Sequence, residues 1–128
     1  MCMVDNGDKY AVWSCRDVKR AKKEHFCEEC ARTIATGESY RMYGGCFQGD
    51  KWNQHPTCQH CLTACQWLIN TCGGFVHGGV EEDIREHAQE YRRMDLYRLS
   101  AMMRRRWRKK SGQLYAVPKV LDAIEVAP

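Results

Sequence analysis

The sequence predicts a small α+β fold, in which a β-hairpin and a helix sit close together and a long C-terminal helix follows. Three observations carry this. Two C-x2-C units, Cys27-Glu28-Glu29-Cys30 and Cys58-Gln59-His60-Cys61, are separated by residues 31–57. The stretch between them alternates polar and apolar side chains. Beyond the second unit, the apolar spacing changes to three and four residues, the period of a helix. The 128 residues suffice for one small domain with an appended helix and exclude a large multidomain enzyme.

The elements follow in order. Residues 1–24 form a lead in which Tyr10-Ala11-Val12-Trp13 reads as a short strand before a basic run. Residues 25–80 hold the cysteine pairs and a Gly-rich connector. Within them Ser39-Tyr40-Arg41-Met42-Tyr43 reads as a strand that ends at Gly44-Gly45, resumes at Cys46-Phe47-Gln48, and turns again at Gly49-Asp50. Cys61, Cys65, Leu68 and Cys72 fall on one face of a helix that Gly73-Gly74 ends. Residues 81–111 contain no Gly or Pro. Glu81, Glu82 and Asp83 suit a helix's first turn and the cations of residues 104–110 its last, which predicts one helix about 45 Å long. Gly112 closes it, and in residues 112–128 Val117-Pro118 followed by Val120, Leu121 and Ile124 leaves a short terminal helix and a loose tail equally open.

Nine cysteines in so short a chain suit either a disulfide framework or metal. Residues 1–15 lack the basic start, apolar run and small-residue cleavage site of a secretory signal. That points to a cytoplasmic protein with reduced thiols, hence to metal. With a mean hydropathy of -0.63, no membrane partner is expected. Two residues between thiolates let a backbone knuckle point both sulfurs at one ion, and two knuckles complete a tetrahedral shell. Cys27, Cys30, Cys58 and Cys61 are therefore the expected ligands of one structural Zn2+, whose binding contributes on the order of 10 kcal/mol to folding. The order knuckle, hairpin, second knuckle and helix resembles that of treble-clef zinc fingers. Iron-sulfur ligation is open to the same four residues. His55 and His60 are candidates to replace a cysteine, and Cys46, Cys65, Cys72 and His77 to build a second site. The simpler reading makes these cysteines small buried hydrophobes.

The positive charge is concentrated. Residues 16–23 hold five Lys/Arg and one Asp, residues 104–110 hold six and no acid, and elsewhere acids outnumber bases. Arg104, Arg105, Arg106, Trp107, Arg108, Lys109 and Lys110 interleave one aromatic with cations, a pattern suited to DNA or RNA: the cations neutralise phosphates and the indole stacks on a base. An acidic host protein would suit the same cluster.

No GxSxG, HExxH, P-loop or GxGxxG occurs. For an HNH-like nuclease, only Asn53 and His55 offer catalytic groups, and they approach the second knuckle rather than a separate site.

The runs HFCEECARTIATGESYRMYGG, WNQHPTCQHCLTAC and CGGFVHGGVEEDIREH resemble a group of small zinc-binding proteins encoded by bacteriophages and prophages. In that group the first C-x2-C is followed by I-x2-G-E, here Ile34-Ala35-Thr36-Gly37-Glu38. The resemblance covers approximately residues 25–87. It implies a phage origin, a zinc-binding fold and action in the bacterial cytoplasm, but no agreed activity. Together these readings predict a non-enzymatic accessory or regulatory protein that binds nucleic acid or a nucleic-acid-associated host factor.

Overall fold

The computed structural model describes residues 12–46 and 53–119. β1 (Val12–Val18) pairs antiparallel with β4 (Tyr40–Cys46), and β4 with β5 (Asn53–Cys58), giving a three-stranded sheet in the order β1-β4-β5. In this register Tyr43 lies between Cys15 and His55, and Tyr40 between Val18 and Cys58. β1 begins in the predicted strand and continues through the start of the basic run. β2 (His25–Phe26) and β3 (Thr33–Ile34) form a separate two-stranded hairpin that carries the first cysteine pair at its turn.

Gly44-Gly45, read as a turn, lies inside β4. Gly44 pairs with Ser14 on one side and Gln54 on the other, and Gly45 with Trp13 and Asn53. Flanked by two strands, this backbone has its ladder partners on both sides, and that overrides the local turn signal. The second predicted turn, at residues 49–50, lies outside the described residues, as do residues 120–128.

The I-x2-G-E segment has a physical role. Ile34 is fully buried, Gly37 takes φ 94° in the turn after it, and Glu38 accepts the Ala35 N–H while pairing with Arg32. Gly37 N–H and Ala21 N–H bond to Ala21 O and Glu38 O, which pins the basic run of residues 16–23 to this turn.

Cys58 is the N-cap of α1 (Gln59–Cys72), and Gly73 closes it in the left-handed conformation with its N–H on Ile69 O. The inward face holds Cys61, Ala64, Cys65, Trp67 and Leu68. α2 (Val80–Tyr91) begins with the predicted acidic turn.

The single helix expected over 81–111 is two. α2 stops at Arg92, which adopts φ 52°, and α3 (Met94–Arg104) folds back on it. No Gly or Pro marks the break. Arg92 and Arg93 N–H both bond to Ala88 O, closing the helix end. The reversal lets Val80, Ile84 and Ala88 of α2 and Leu96, Leu99 and Met103 of α3 share one core, burial that a straight helix would forgo.

After Arg104 the chain turns through residues 105–107 and forms a small loop bridged between Arg108 and Leu114. Gly112, with φ 90°, turns that loop instead of ending a helix. Among the described residues, no helix is long and apolar enough to cross a membrane.

Candidate metal centre

Backbone geometry delivers the first pair of sulfurs. Cys27 N–H donates to Arg32 O and Ala31 N–H to Cys27 O, both at 2.9 Å, and Ala31 takes φ 63° to close the knuckle. The second pair straddles the junction of β5 and α1, with Cys58 ending the strand and Cys61 in the helix's first turn. Two backbone N–H groups reach across the halves: Glu28 N–H to Pro56 O at 2.8 Å and Cys58 N–H to Cys27 Sγ at 3.3 Å.

All four cysteines are buried and their sulfurs lie within 4.8 Å of one another. Cys30 Sγ and Cys58 Sγ are 3.7 Å apart. A tetrahedral shell with metal–sulfur bonds of about 2.3 Å has sulfur–sulfur edges of about 3.8 Å, so this donor set can close on one ion. Among the described residues it is the one group arranged to do so.

The protonation pattern favours a cation. Hydrogen bonds from Cys30, Cys58 and Cys61 hold Cys27 far below the ordinary thiol range, and the bonds to Cys27 push Cys30 and Cys61 up. The same network also lowers Cys58, so the thiolate is favoured at Cys27 and Cys58 and the thiol at Cys30 and Cys61, whereas four thiolates need a metal's charge. Part of the remaining negative charge is offset by the protein. Burial opposes the charge on Arg32, but Glu38 and Cys58 outweigh it and keep the guanidinium protonated. Arg32 grips Glu38 with two bonds of 3.1 Å and donates to Thr33 O at 3.0 Å.

Trp107 also reaches the cluster. It is 2% exposed, and its Nε1–H donates to Cys61 Sγ at 3.2 Å. This corrects the expectation that Trp107 stacks on a base: its ring is in the core. The cations around it, Arg104, Arg105, Arg106, Arg108, Lys109 and Lys110, remain exposed. Arg104 pairs with Glu81 at 3.1 Å, Arg108 donates to Gly112 O, and Lys109 lies over the Tyr115 ring. The basic loop is therefore anchored to the cysteine cluster by the one residue in it that faces inward.

His60 braces the same anchor and is not a ligand. Its Nδ1 can only accept from Arg32 Nη2 (3.2 Å), so Nε2 carries the hydrogen donated to Tyr115 O (2.6 Å), and Tyr115 N–H in turn bonds to Trp107 O. Burial lowers its pKa, consistent with this neutral ring. His55 pairs with Glu28 at 3.3 Å and stacks on His77 at 4.3 Å. Glu29, inside the first knuckle, accepts N–H bonds from Gly78 and Val80 and so ties the centre to the start of α2; burial pushes its carboxyl up to about 7.

Among the described residues, no second site forms from the remaining candidates. Cys65 is buried, and burial raises its thiol well above the ordinary range. Cys72 is exposed against His87 Nε2 at 3.1 Å, and His77 packs on Tyr43 and Phe75. The side chain of Cys46 lies outside the described residues. Cys15 is disulfide-bonded, a use of cysteine that the reading in favour of metal had set aside. Sequence reasoning missed Arg32, whose one signal is its place two residues after the knuckle, and Phe26, exposed beside Cys27. Comparison of the chain with family models, with curated proteins and with solved structures gave no match.

Proposed function

We propose that this chain is a non-enzymatic module of treble-clef type, stabilised by one Zn2+ on Cys27, Cys30, Cys58 and Cys61, that binds nucleic acid through its basic surface. Four thiolates suit zinc, and a shell filled by protein leaves no position for a reactive water. The observation that carries the reading is the mounting of residues 104–110: Trp107 is locked to Cys61 while six cations around it face solvent. Folding around the metal thereby presents a fixed basic surface, at little entropic cost on binding phosphate. In the phage setting implied by the resemblance, the module acts as an accessory factor on nucleic acid in the bacterial cytoplasm.

A second reading, a protein-interaction module that modulates a host factor, draws on Tyr91, Met94 and Tyr97. They are 45%, 63% and 37% exposed around the turn from α2 to α3. Titration of labelled DNA and RNA against salt separates the two. Metal-loaded protein binds with a log-log salt slope of about -3 to -5 on duplex, from ~0.9 per phosphate contact. Gln at Arg105, Arg106 and Arg108 together flattens that slope by up to about 3 units. Absence of binding to any nucleic acid at low salt overturns the reading and leaves the α2–α3 surface as the functional one.

A further inference from the structure

The burial of Trp107 leaves the basic loop without the aromatic that the sequence assigns to it, but the fold supplies another. Phe26 is 72% exposed, on a β2 strand of two residues whose next residue is Cys27. A single exposed apolar side chain is ordinary on any surface. The setting of this one is not. Phe26 lines a groove of about 300 Å³ with Ala31, Arg32, Thr33, Arg105, Arg106 and Arg108, and among the described residues no carboxylate borders it. The ring has little freedom to collapse away, because Phe26 pairs with Thr33 and adjoins the first knuckle.

The neighbouring residue of β2 opens onto a second cationic concavity. His25, with its Nε2 bonded to the Tyr40 hydroxyl, lines a cavity of about 450 Å³ together with Arg16, Arg20, Lys22 and Lys23, again with no carboxylate among the described lining residues. Successive residues of a strand point to opposite sides. The hairpin of β2 and β3 therefore stands between two basic hollows, built from sequence clusters more than eighty residues apart. In a chain whose acids outnumber its bases elsewhere, this convergence is specific.

We propose that the β2–β3 hairpin is a binding site for single-stranded nucleic acid, in which Phe26 stacks on an unpaired base and Arg105, Arg106 and Arg108 on one side and Arg16, Arg20, Lys22 and Lys23 on the other hold the flanking phosphates. The inference rests on the nucleic-acid reading above and narrows it. A phenyl ring stacks on any exposed base face and has no hydrogen-bond group with which to choose among bases, so recognition is tolerant of sequence. Paired bases in a duplex keep their faces covered, so the aromatic discriminates for single strands whereas the cations serve both forms. The groove of about 300 Å³ has room for one nucleotide unit. A membrane surface fits less well, since a lone ring offers little apolar area to insert.

The test uses the full metal-loaded chain and labelled oligothymidine, an abasic strand of equal length, and a duplex. Phe26→Ala should weaken oligothymidine binding by about 5- to 150-fold, the range for one lost base stack. It should leave the abasic strand, the duplex and the salt slope unchanged. Phe26→Trp should retain binding, and its added fluorescence should be quenched by the strand. Because Phe26 is exposed, the Ala variant should melt as the parent does, and the preference of the unmodified protein for oligothymidine over the abasic strand gives a readout free of any variant. If Phe26→Ala binds all three like the parent while the Arg variants lose them, the stacking site is wrong and the nucleic-acid reading stands. If polyglutamate competes as well as oligothymidine, the hollows recognise an acidic protein and the proposal is overturned. If nothing binds at low salt, both readings fall together.

Discussion

The knuckle between β2 and β3 and the hairpin of α2 and α3 each reverse the chain through a residue of positive φ, Ala31 at 63° and Arg92 at 52°, yet different forces close them. Around Ala31 the buried groups are four sulfurs, the Arg32 guanidinium and the His60 ring, joined by hydrogen bonds and ion pairs. Around Arg92 the adjoining helices bury aliphatic side chains, Ile84 and Ala88 on one and Leu96 and Leu99 on the other. The first region is a cysteine cluster that can hold a cation; the second is held by burial that operates without one. Removing the metal should therefore have unequal effects. Chelation, or Cys27→Ser, removes binding energy on the order of 10 kcal/mol from the first region. Amide hydrogens of Cys27, Ala31 and Cys58 should lose protection from exchange first, while the inner amides of α2 keep theirs longer. Equal loss in both regions would show that the two do not rest on separate forces.

Trp107 is where the regions meet, so its substitution measures their coupling. The indole fills the core behind α3 and also donates to Cys61 Sγ. Trp107→Ala should cost about 3 to 5 kcal/mol in denaturant unfolding, as for other large core truncations. Trp107→Phe retains most of the volume and removes the donor. It should weaken metal binding roughly 10- to 100-fold in chelator competition, the effect of losing a hydrogen bond to a ligand. If Trp107→Phe leaves metal affinity unchanged, the indole serves packing alone.

The same contrast explains which features were legible in the sequence. Candidate metal ligands announce themselves by spacing, because the knuckle's geometry is local and needs only a few residues between its cysteines, here two. The acidic start of α2 is equally local. Arg92 carries no such mark: its stop depends on Leu96 and Leu99 returning to cover Ile84 and Ala88, which no window of neighbouring residues contains. Gly44-Gly45 fails for a related reason, since a glycine pair in a central strand looks the same in sequence as one in a turn. Trp107 was misread by its company. Among six cations it resembles a stacking residue, but a large indole more often goes inward. Phe26 illustrates the converse, an apolar residue whose exposure is decided by what the fold leaves uncovered.

Acid should weaken the packing of His77 on Tyr43 and Phe75. His77 is held at about 4, below its ordinary 6.5, first by burial and then by the stacked His55. A histidine depressed on folding leaves stability intact above the unfolded value and withdraws it as protons bind the unfolded chain more readily. The loss therefore runs from about pH 6.5 down to about pH 4. At this partly exposed ring it should amount to roughly 1 to 2 kcal/mol after solvent screening. His77→Phe should flatten the denaturant midpoint over that window. An unchanged pH profile in the variant would assign the loss to other groups.

The smallest effect returns to the two reversals. A side chain in the left-handed region costs about 1 to 2 kcal/mol, which glycine relieves, while glycine's freer unfolded chain gives back about 0.4 to 1. Ala31→Gly and Arg92→Gly should each stabilise the metal-loaded protein by about 0.5 to 1 kcal/mol. Their behaviour should diverge once metal is removed. Without a cation the knuckle has no reason to hold Ala31 at positive φ, so the benefit of Ala31→Gly should disappear in chelator. Arg92→Gly acts on a turn held by helix packing and should keep its benefit there. Thermal melts of both variants, loaded and chelated, provide the comparison. A gain for Ala31→Gly that persists without metal would mean that the backbone of the first knuckle is set before the ion arrives.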